Sequence, residues 1–522
     1  MYAMTTRLMM GAALVLGAQP VWAASTNAAP TVLRVQINAD VRSTEPGVNR
    51  DDNSDTLVLH MVEGLVGMRE DTSIGPMLAK SVEVSDDGLT YTFPLREGVK
   101  FHNGATLTAD DVVWTWKRYL APDSGWRCLP DFDGHGAAKI VDIQASDPHT
   151  VVFKIDQPSA LFLRNMVRAD CGGSGIYHRA SLGEDGKWKL PVGTGPFKFA
   201  DWKRGQQIDL AAFTDYVSLP GPRDGFVGGK KAEVDILRFL VIPDSSAAKT
   251  GLYSGAIDVY SSASSQDMAE LVKRQDVASQ SWPSMNVVGM LFQTTDPLLK
   301  DVRVRRAIAL SLDYDAIAAA VTEGSAPANN SIIPSRSPFH TAVQDKGYQR
   351  DLAQAKRLLS EAGYKGQPIS VIANKRYEAT YNAAVLIQAL AVEAGINLQI
   401  EVIDWATQLD RYTKGQYQAM VFPYSSRLDP SLSFDMISGP KATQPRKVWD
   451  NPAMQAKLMS TMKISDKAAR QALFDELHTA MIADVPMLPL FNGVDAAGVG
   501  KHVKGYQTWP ADKPRFWNVR KE

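Results

Sequence analysis

Eight histidines and two cysteines are the side chains here best suited to hold a metal, and their spacing argues against one. His60, His102, His135, His149, His178, His340, His478 and His502 are scattered. No pair has the spacing that sets two imidazoles on one helical face, and neither Cys128 nor Cys171 belongs to a C-x-x-C pair. Candidate nucleophiles and phosphate loops fare no better. Cys171-Gly-Gly-Ser-Gly175 places a serine among glycines without the G-x-S-x-G order of a nucleophile elbow. The glycine-rich run from Gly221 to Lys230 lacks the pattern that cradles phosphate. Carboxylates are plentiful, but nothing in the sequence pairs two of them as general acid and base. No cofactor and no metal is expected. The pattern favours a protein that binds over one that catalyses, with an exported hydrolase as the competing reading.

The bulk properties narrow the partners. The 522 residues are 45% hydrophobic and 22% charged, with a formal net charge of −1. That is an ordinary globular composition with ample core and no global field to recruit nucleic acid. At the start, Arg7 precedes the short apolar run Leu8 to Ala18, and Val21-Trp-Ala23 supplies small residues for cleavage after Ala23. These are the parts of an export signal, and the run is too short to span a bilayer. No cysteine lies near the cleavage site, so a free periplasmic protein without a lipid anchor is expected. In that oxidising compartment Cys128 and Cys171 are expected to form a disulfide.

Several elements must carry whatever site exists. Val32 to Ile37 alternates as a strand, and so does Leu89 to Leu95, whose Pro94 points to a sheet edge. Thr108-Ala-Asp-Asp111 reads as a capping box opening a helix with Val112, Val113, Trp116, Tyr119 and Leu120 on one face. Asp301 caps a helix presenting Val304, Ala307, Ile308 and Leu312, and Tyr314 to Val321 continues at helical spacing. Ile369 to Ala373, a helix over 379–394 ending at Gly395, and Ile396 to Val402 form strand–helix–strand. Parallel strands with a right-handed crossover follow, and ligands of such sheets sit beyond the carboxyl ends of the strands.

Several blocks together resemble solute-binding protein family 5, the oligopeptide-, dipeptide- and nickel-binding components of bacterial ABC importers. They are Glu63-Gly-Leu-Val66, Pro76 to Ser81, Ser85 to Gly104 and Leu107 to Val112 with Trp116. Further along come Pro191 to Phe199 with Trp202, Gly255-Ala-Ile-Asp-Val259, and Asp301 to Ile308 with Asp313. Asp351 to Tyr364 and Asp484 to Leu490 complete the order. Most of these residues read as structural: turns, caps, and a solvated or buttressing face for Arg303 and Arg305.

The resemblance implies an α/β, two-lobed periplasmic binding protein fold with an additional small α+β domain in lobe I. After a signal peptide over 1–23, lobe I would take 24–75, the small domain 76–190, and a second lobe I segment 191–285. Lobe II would span 286–484, and 485–522 would return to lobe I, with chain crossings near 285–292 and 484–492. The implied function is capture of a small organic solute between the lobes and delivery to an ABC permease in the inner membrane, by a monomer. In peptide-binding relatives the segment matching Val421 to Pro430 carries an aspartate that grips the peptide ammonium; here that position is Ser426. A hydroxyl cannot supply the charge, and the neighbouring Arg427 suits a carboxylate. Tyr424, Ser425, Ser426 and Arg427 are therefore expected at the ligand, with Trp126 and Arg127 facing them from the small domain. The departure at Ser426 favours an acidic or polar solute, opine-like among others, over a peptide.

Overall fold

The computed structural model describes residues 29–48, 51–136, 138–464, 466–509, 511 and 513–522. The expected export signal and its cleavage point lie outside these residues. Among the described residues, no helix is long and apolar enough to cross a membrane.

Three sheets organise the chain from Thr31 to Glu522. The first has seven strands in the order Val277–Pro283, Val494–Gly500, Val259–Tyr260, Val32–Ile37, Ile236–Val241, Gln207–Ala212 and Phe197–Lys203. Val32–Ile37 runs parallel to both of its neighbours. Its alternating Leu33, Val35 and Ile37 pack with Phe197, Leu210, Leu237 and Phe239 into one buried cluster. Apolar alternation on a half-buried strand is thereby converted into a lobe core.

Set into this lobe is the small domain, a four-stranded antiparallel sheet ordered Glu83–Val84, Thr90–Pro94, Thr150–Ile155, Ile140–Asp147. The edge position expected for Pro94 is corrected, because its strand is an inner one. The neighbouring Glu83–Val84 is only two residues long and pairs with Thr92 and Tyr91, so it ends before Pro94. The missing N–H of the proline therefore costs no ladder bond. Helix Ala109–Tyr119 covers the sheet, its start fixed by Thr108 N donating to Asp111 Oδ2 at 3.0 Å. Val112, Trp116 and Tyr119 are buried, and Trp116 meets Phe132, Phe153 and Trp126 edge-on.

The second lobe is a five-stranded sheet ordered Leu398–Val402, Ile369–Ala373, Ala419–Tyr424, Val287–Phe292, Met487–Phe491. Ile369–Ala373 is parallel to both neighbours, and helix Glu378–Val392 makes the crossover, as the strand–helix–strand pattern predicts. Two chain crossings join the lobes. One runs from Val277–Pro283 to Val287–Phe292, the other from Met487–Phe491 to Val494–Gly500. The boundary expected at 484/485 moves later, because Met487–Phe491 still pairs with Val287–Phe292. The return falls at Asn492–Gly493. There the two crossings are stitched together: Ser284 N donates to Gly493 O at 3.0 Å, Gly493 N to Asn286 Oδ1 at 2.7 Å, and Asn492 Nδ2 to Asn286 O at 2.7 Å. A Cβ on Gly493 would sit 2.6 Å from Asn286 Oδ1, so any side chain here would have to displace the Asn286 amide.

Motif residues that look chemical prove to be fasteners. Glu63 is buried against Lys230 and also accepts from Thr194 Oγ1 at 3.0 Å and Tyr216 OH at 2.9 Å. Asp258 accepts from Arg34 N, Nε and Nη2, from His502 Nε2 at 2.7 Å and from Lys521 Nζ at 3.1 Å. Arg305 buttresses the end of helix Lys467–Asp484, with Nε donating to Val485 O at 2.8 Å. Arg303 is the solvated one of the pair, closed on Asp301 at 2.7 Å.

Candidate functional site

A cavity of about 380 Å³ opens where the lobes face each other. That is within the range of small-molecule sites. The first lobe lines it with Asp51, Asp55 and Arg127, the second with Arg376, Tyr377, Trp405, Phe422 and Tyr424, and the crossings with Asn286 and Gly493. The lining thus combines aromatic side chains with charged groups.

Local structure explains each charged position. Asp51 is the N-cap of helix Asp52–Val58, accepting from Ser54 N at 3.0 Å, and Asp55 stands in the first turn. Arg376 lies beyond the carboxyl end of Ile369–Ala373 and just before helix Glu378–Val392, where an open parallel sheet presents its ligands. Its loop is pinned from below. Buried Asn374 donates to Gln408 Oε1 at 2.7 Å and accepts from Tyr377 N at 3.1 Å, while Gln408 donates to Val421 O at 3.0 Å.

The Arg376 guanidinium is only 14% exposed, and its Nη1 meets Asp51 Oδ2 of the other lobe at 3.0 Å. Its Nε and Nη2 are buried with no hydrogen-bond partner among the described residues. These two nitrogens form the side edge of the planar fork, the edge that takes a carboxylate in a bidentate fashion. Buried donors left without acceptors are costly, by about 1–3 kcal/mol each.

Arg127 bridges Asp55 at 3.1 Å and Asp170 at 3.3 Å. The two carboxyls behave differently. Burial pushes Asp55 well above the usual range, against the pull of Arg127. For Asp170 burial acts in the same direction, but Arg168, Arg427 and Arg127 outweigh it and hold the group well below that range.

The expected ligand residues divide into three groups. Arg127, Tyr424 and Ser425 line the main cavity. Ser426 and Arg427 do not; they line an adjoining narrow cavity of about 50 Å³, which Ser425 also borders. Ser426 Oγ lies 3.3 Å from Ser284 Oγ, and Arg427 Nη2 is engaged by Asp170 at 2.9 Å, so Arg427 stands beside the main cavity with a carboxylate partner of its own. Trp126 makes up the third group. It is 2% exposed, stacked on Tyr119 and Phe132 at centroid distances of 4.6 and 5.5 Å, with Nε1 donating to Cys171 O at 3.2 Å. Its indole is core because the Cys128–Cys171 disulfide, present with a Cα separation of 5.8 Å, draws that loop into the small domain. Arg376 was not anticipated, although Asn374-Lys-Arg-Tyr377 between a strand and a helix is the signal that points to it.

Residues 73–444 match the model of the bacterial extracellular solute-binding proteins, family 5. The chain belongs to that family. As a family-5 solute-binding protein it is the substrate-binding component of an ABC importer, a class that works in the periplasm or outside the cell. The match extends over whole proteins. The chain is 28% identical over 500 residues to the dipeptide-binding protein of Escherichia coli strain K12, covering 91% of this chain and 90% of that one. Among solved structures it resembles the Helicobacter pylori DppA in complex with the peptide STSA, with a TM-score of 0.84, 26% identity, and 94% and 99% of the two chains covered. It also resembles AgaA from A. tumefaciens R10 in complex with agropinic acid, with a TM-score of 0.82, 25% identity and the same coverage. The family-5 protein described here therefore shares its two-lobed fold and small extra domain with these binding proteins.

Proposed function

We propose that this protein captures a small organic solute bearing a carboxylate or similar oxyanion, and that Arg376 receives that group. The observation that carries the reading is the Nε/Nη2 edge of Arg376, buried without an acceptor among the described residues, in a residue that lines the cavity. A guanidinium already held through Nη1 by Asp51 is pre-oriented, so little freedom is lost when a planar acid docks. The aromatic lining, Tyr377, Trp405, Phe422 and Tyr424, suits an organic body behind the acid. AgaA, bound to agropinic acid, is an acid-binding relative of the same fold. A peptide amino terminus is the less suited ligand: Ser426 brings no charge and lies away from the main cavity.

In this reading the protein is exported, is cleaved after Ala23, works as a monomer in the periplasm and hands its closed form to an inner-membrane permease. It turns nothing over. Ligand contacts on both lobes favour the closed state by their differential affinity.

A thermal-shift screen with matched pairs of free acids and their amides tests the assignment. A ligand at about 100 times its Kd stabilises the native state by about 2.7 kcal/mol. The expected result is a shift for an opine-type or other organic acid that its amide does not produce. Equal shifts for acid and amide, or tight binding of peptides that is lost on N-acetylation, would overturn it.

A further inference from the structure

Asp170 of the small domain is held by three guanidinium groups from two lobes. Arg168 grips it side-on, with Nε at 3.1 Å and Nη2 at 2.9 Å, and is itself fixed by Asp131 at 2.6 Å. Arg127 approaches at 3.3 Å. Arg427, from the loop after strand Ala419–Tyr424 of the second lobe, completes the set at 2.9 Å. All of these groups are largely buried; the Arg427 and Asp170 side chains are 5% and 8% exposed.

The first-lobe half of this cluster has a covalent mount. Arg127 and Asp170 each immediately precede one of the two bridged cysteines, so the Cys128–Cys171 bond holds side by side two loops separated by 43 residues of chain. Of the three guanidinium groups on Asp170, only Arg427 belongs to the second lobe, so it alone would leave if the lobes parted. On such a parting the carboxylate would keep Arg168 and Arg127, and Arg427 would keep the bonds from its Nη1 to Ser425 Oγ at 3.0 Å and Ser426 O at 3.1 Å in its own loop. Neither charge would be left without a partner, which is the usual penalty for parting a buried pair. The contact is thus suited to being made and broken repeatedly. Two neighbours cross the same seam: Arg164 Nε lies 3.7 Å from Asp429 Oδ2, and Ala160 N donates to Met462 O at 3.1 Å.

We propose that Arg427 and Asp170 form a reversible latch between the lobes, presented by the Cys128–Cys171 disulfide, and that Arg427 governs solute capture through closure without touching the solute. The proposal is independent of which solute is bound. Arg427 and Asp170 are positioning residues, and their effect is read in the balance of open and closed forms.

The test is small-angle scattering of the purified protein without added ligand, at about 20 mM and about 500 mM NaCl. Arg427→Met is expected to lower the closed-to-open ratio about tenfold at low salt, in line with the coupling of close interfacial charge pairs. Arg427→Lys, which keeps the charge, is expected to recover part of it; a role in packing alone would favour methionine over lysine. High salt should bring the wild type and Arg427→Met together. Asp170→Asn gives a second reading from the other lobe, with thermal unfolding as the check on folding. A wild type indistinguishable from Arg427→Met at low salt would overturn the latch. Unchanged compactness after reduction of the disulfide would overturn its part in presenting it.

Discussion

Arg376 of the second lobe donates from Nη1 to Asp51 Oδ2 of the first lobe at 3.0 Å, while Asp51 caps helix Asp52–Val58. One carboxylate therefore ends a helix and aims a guanidinium. Replacing Arg376 by lysine keeps the charge but removes the planar edge, so affinity for an acidic ligand should fall about 10- to 100-fold, the range of a lost charge-assisted hydrogen bond. Titration calorimetry with an acid found in the screen measures it, and an unchanged Kd would remove Arg376 from the site. Asp51→Asn should cost less, since the fork remains and only its orientation loosens.

Glu63 and Lys230 form a pair with side-chain exposures of 1% and 2%, and neither belongs to the cavity lining. Glu63→Gln leaves the ammonium buried without its counter-charge, and should destabilise the fold by about 3–5 kcal/mol in urea unfolding. Adding Lys230→Met should restore much of the loss. A double variant no better than Glu63→Gln would show that the charge pair is not the source of the cost.

Two histidines make the fold acid-sensitive. His60 lies buried between Thr56 O at 2.8 Å and Phe516 N at 3.1 Å, and burial brings it down to about 4. His102, bonded to Gly195 O at 3.1 Å, is likewise lowered by burial to about 4. The unfolded chain takes up these protons near pH 6.5, the native state only near pH 4. Stability present above pH 6.5 is therefore lost as pH falls from about 6.5 to about 4, by up to about 1.4 kcal/mol per pH unit for each histidine. Urea midpoints across that window should decline, and His102→Asn should flatten the decline. An unchanged slope in that variant would exclude His102 as a contributor.

At the crossings, Gly493→Ala drives a methyl group to within 2.6 Å of Asn286 Oδ1 and breaks the bond from Gly493 N. Overpacking of this kind costs about 1–3 kcal/mol. The expected signature is a lower melting temperature together with weaker ligand binding, because the strained atoms join the lobes. Lowered stability with binding intact would mean that the crossing tolerates the change without altering closure.

Periodicity carried much of the fold. The capping box at Thr108 and the strand–helix–strand ending in Leu398–Val402 were legible because local spacing determines them. The position of the return crossing was not, since Met487-Leu-Pro-Leu-Phe491 is apolar throughout and such a run does not say which sheet it joins. The site was half legible. Tyr424, Ser425 and Arg127 reach the cavity, but Arg427 is claimed by a carboxylate 257 residues away and Trp126 by a core built around a disulfide. Such partners are set by tertiary packing. Arg376 stood where parallel sheets place their ligands, and it was hidden only because one arginine in a loop looks like any other.

Strand Val494–Gly500 lies between Val277–Pro283 and Val259–Tyr260 in the first-lobe sheet. A chain emerging from a ribosome or a translocation pore thus lacks an interior strand of its first lobe until nearly its last residues arrive. Before then Val277–Pro283 has no neighbour in that sheet, while the second-lobe sheet needs nothing beyond Phe491. Completion of the two lobes is ordered: the later-encoded lobe can be finished first, and the lobe that begins the protein is sealed last.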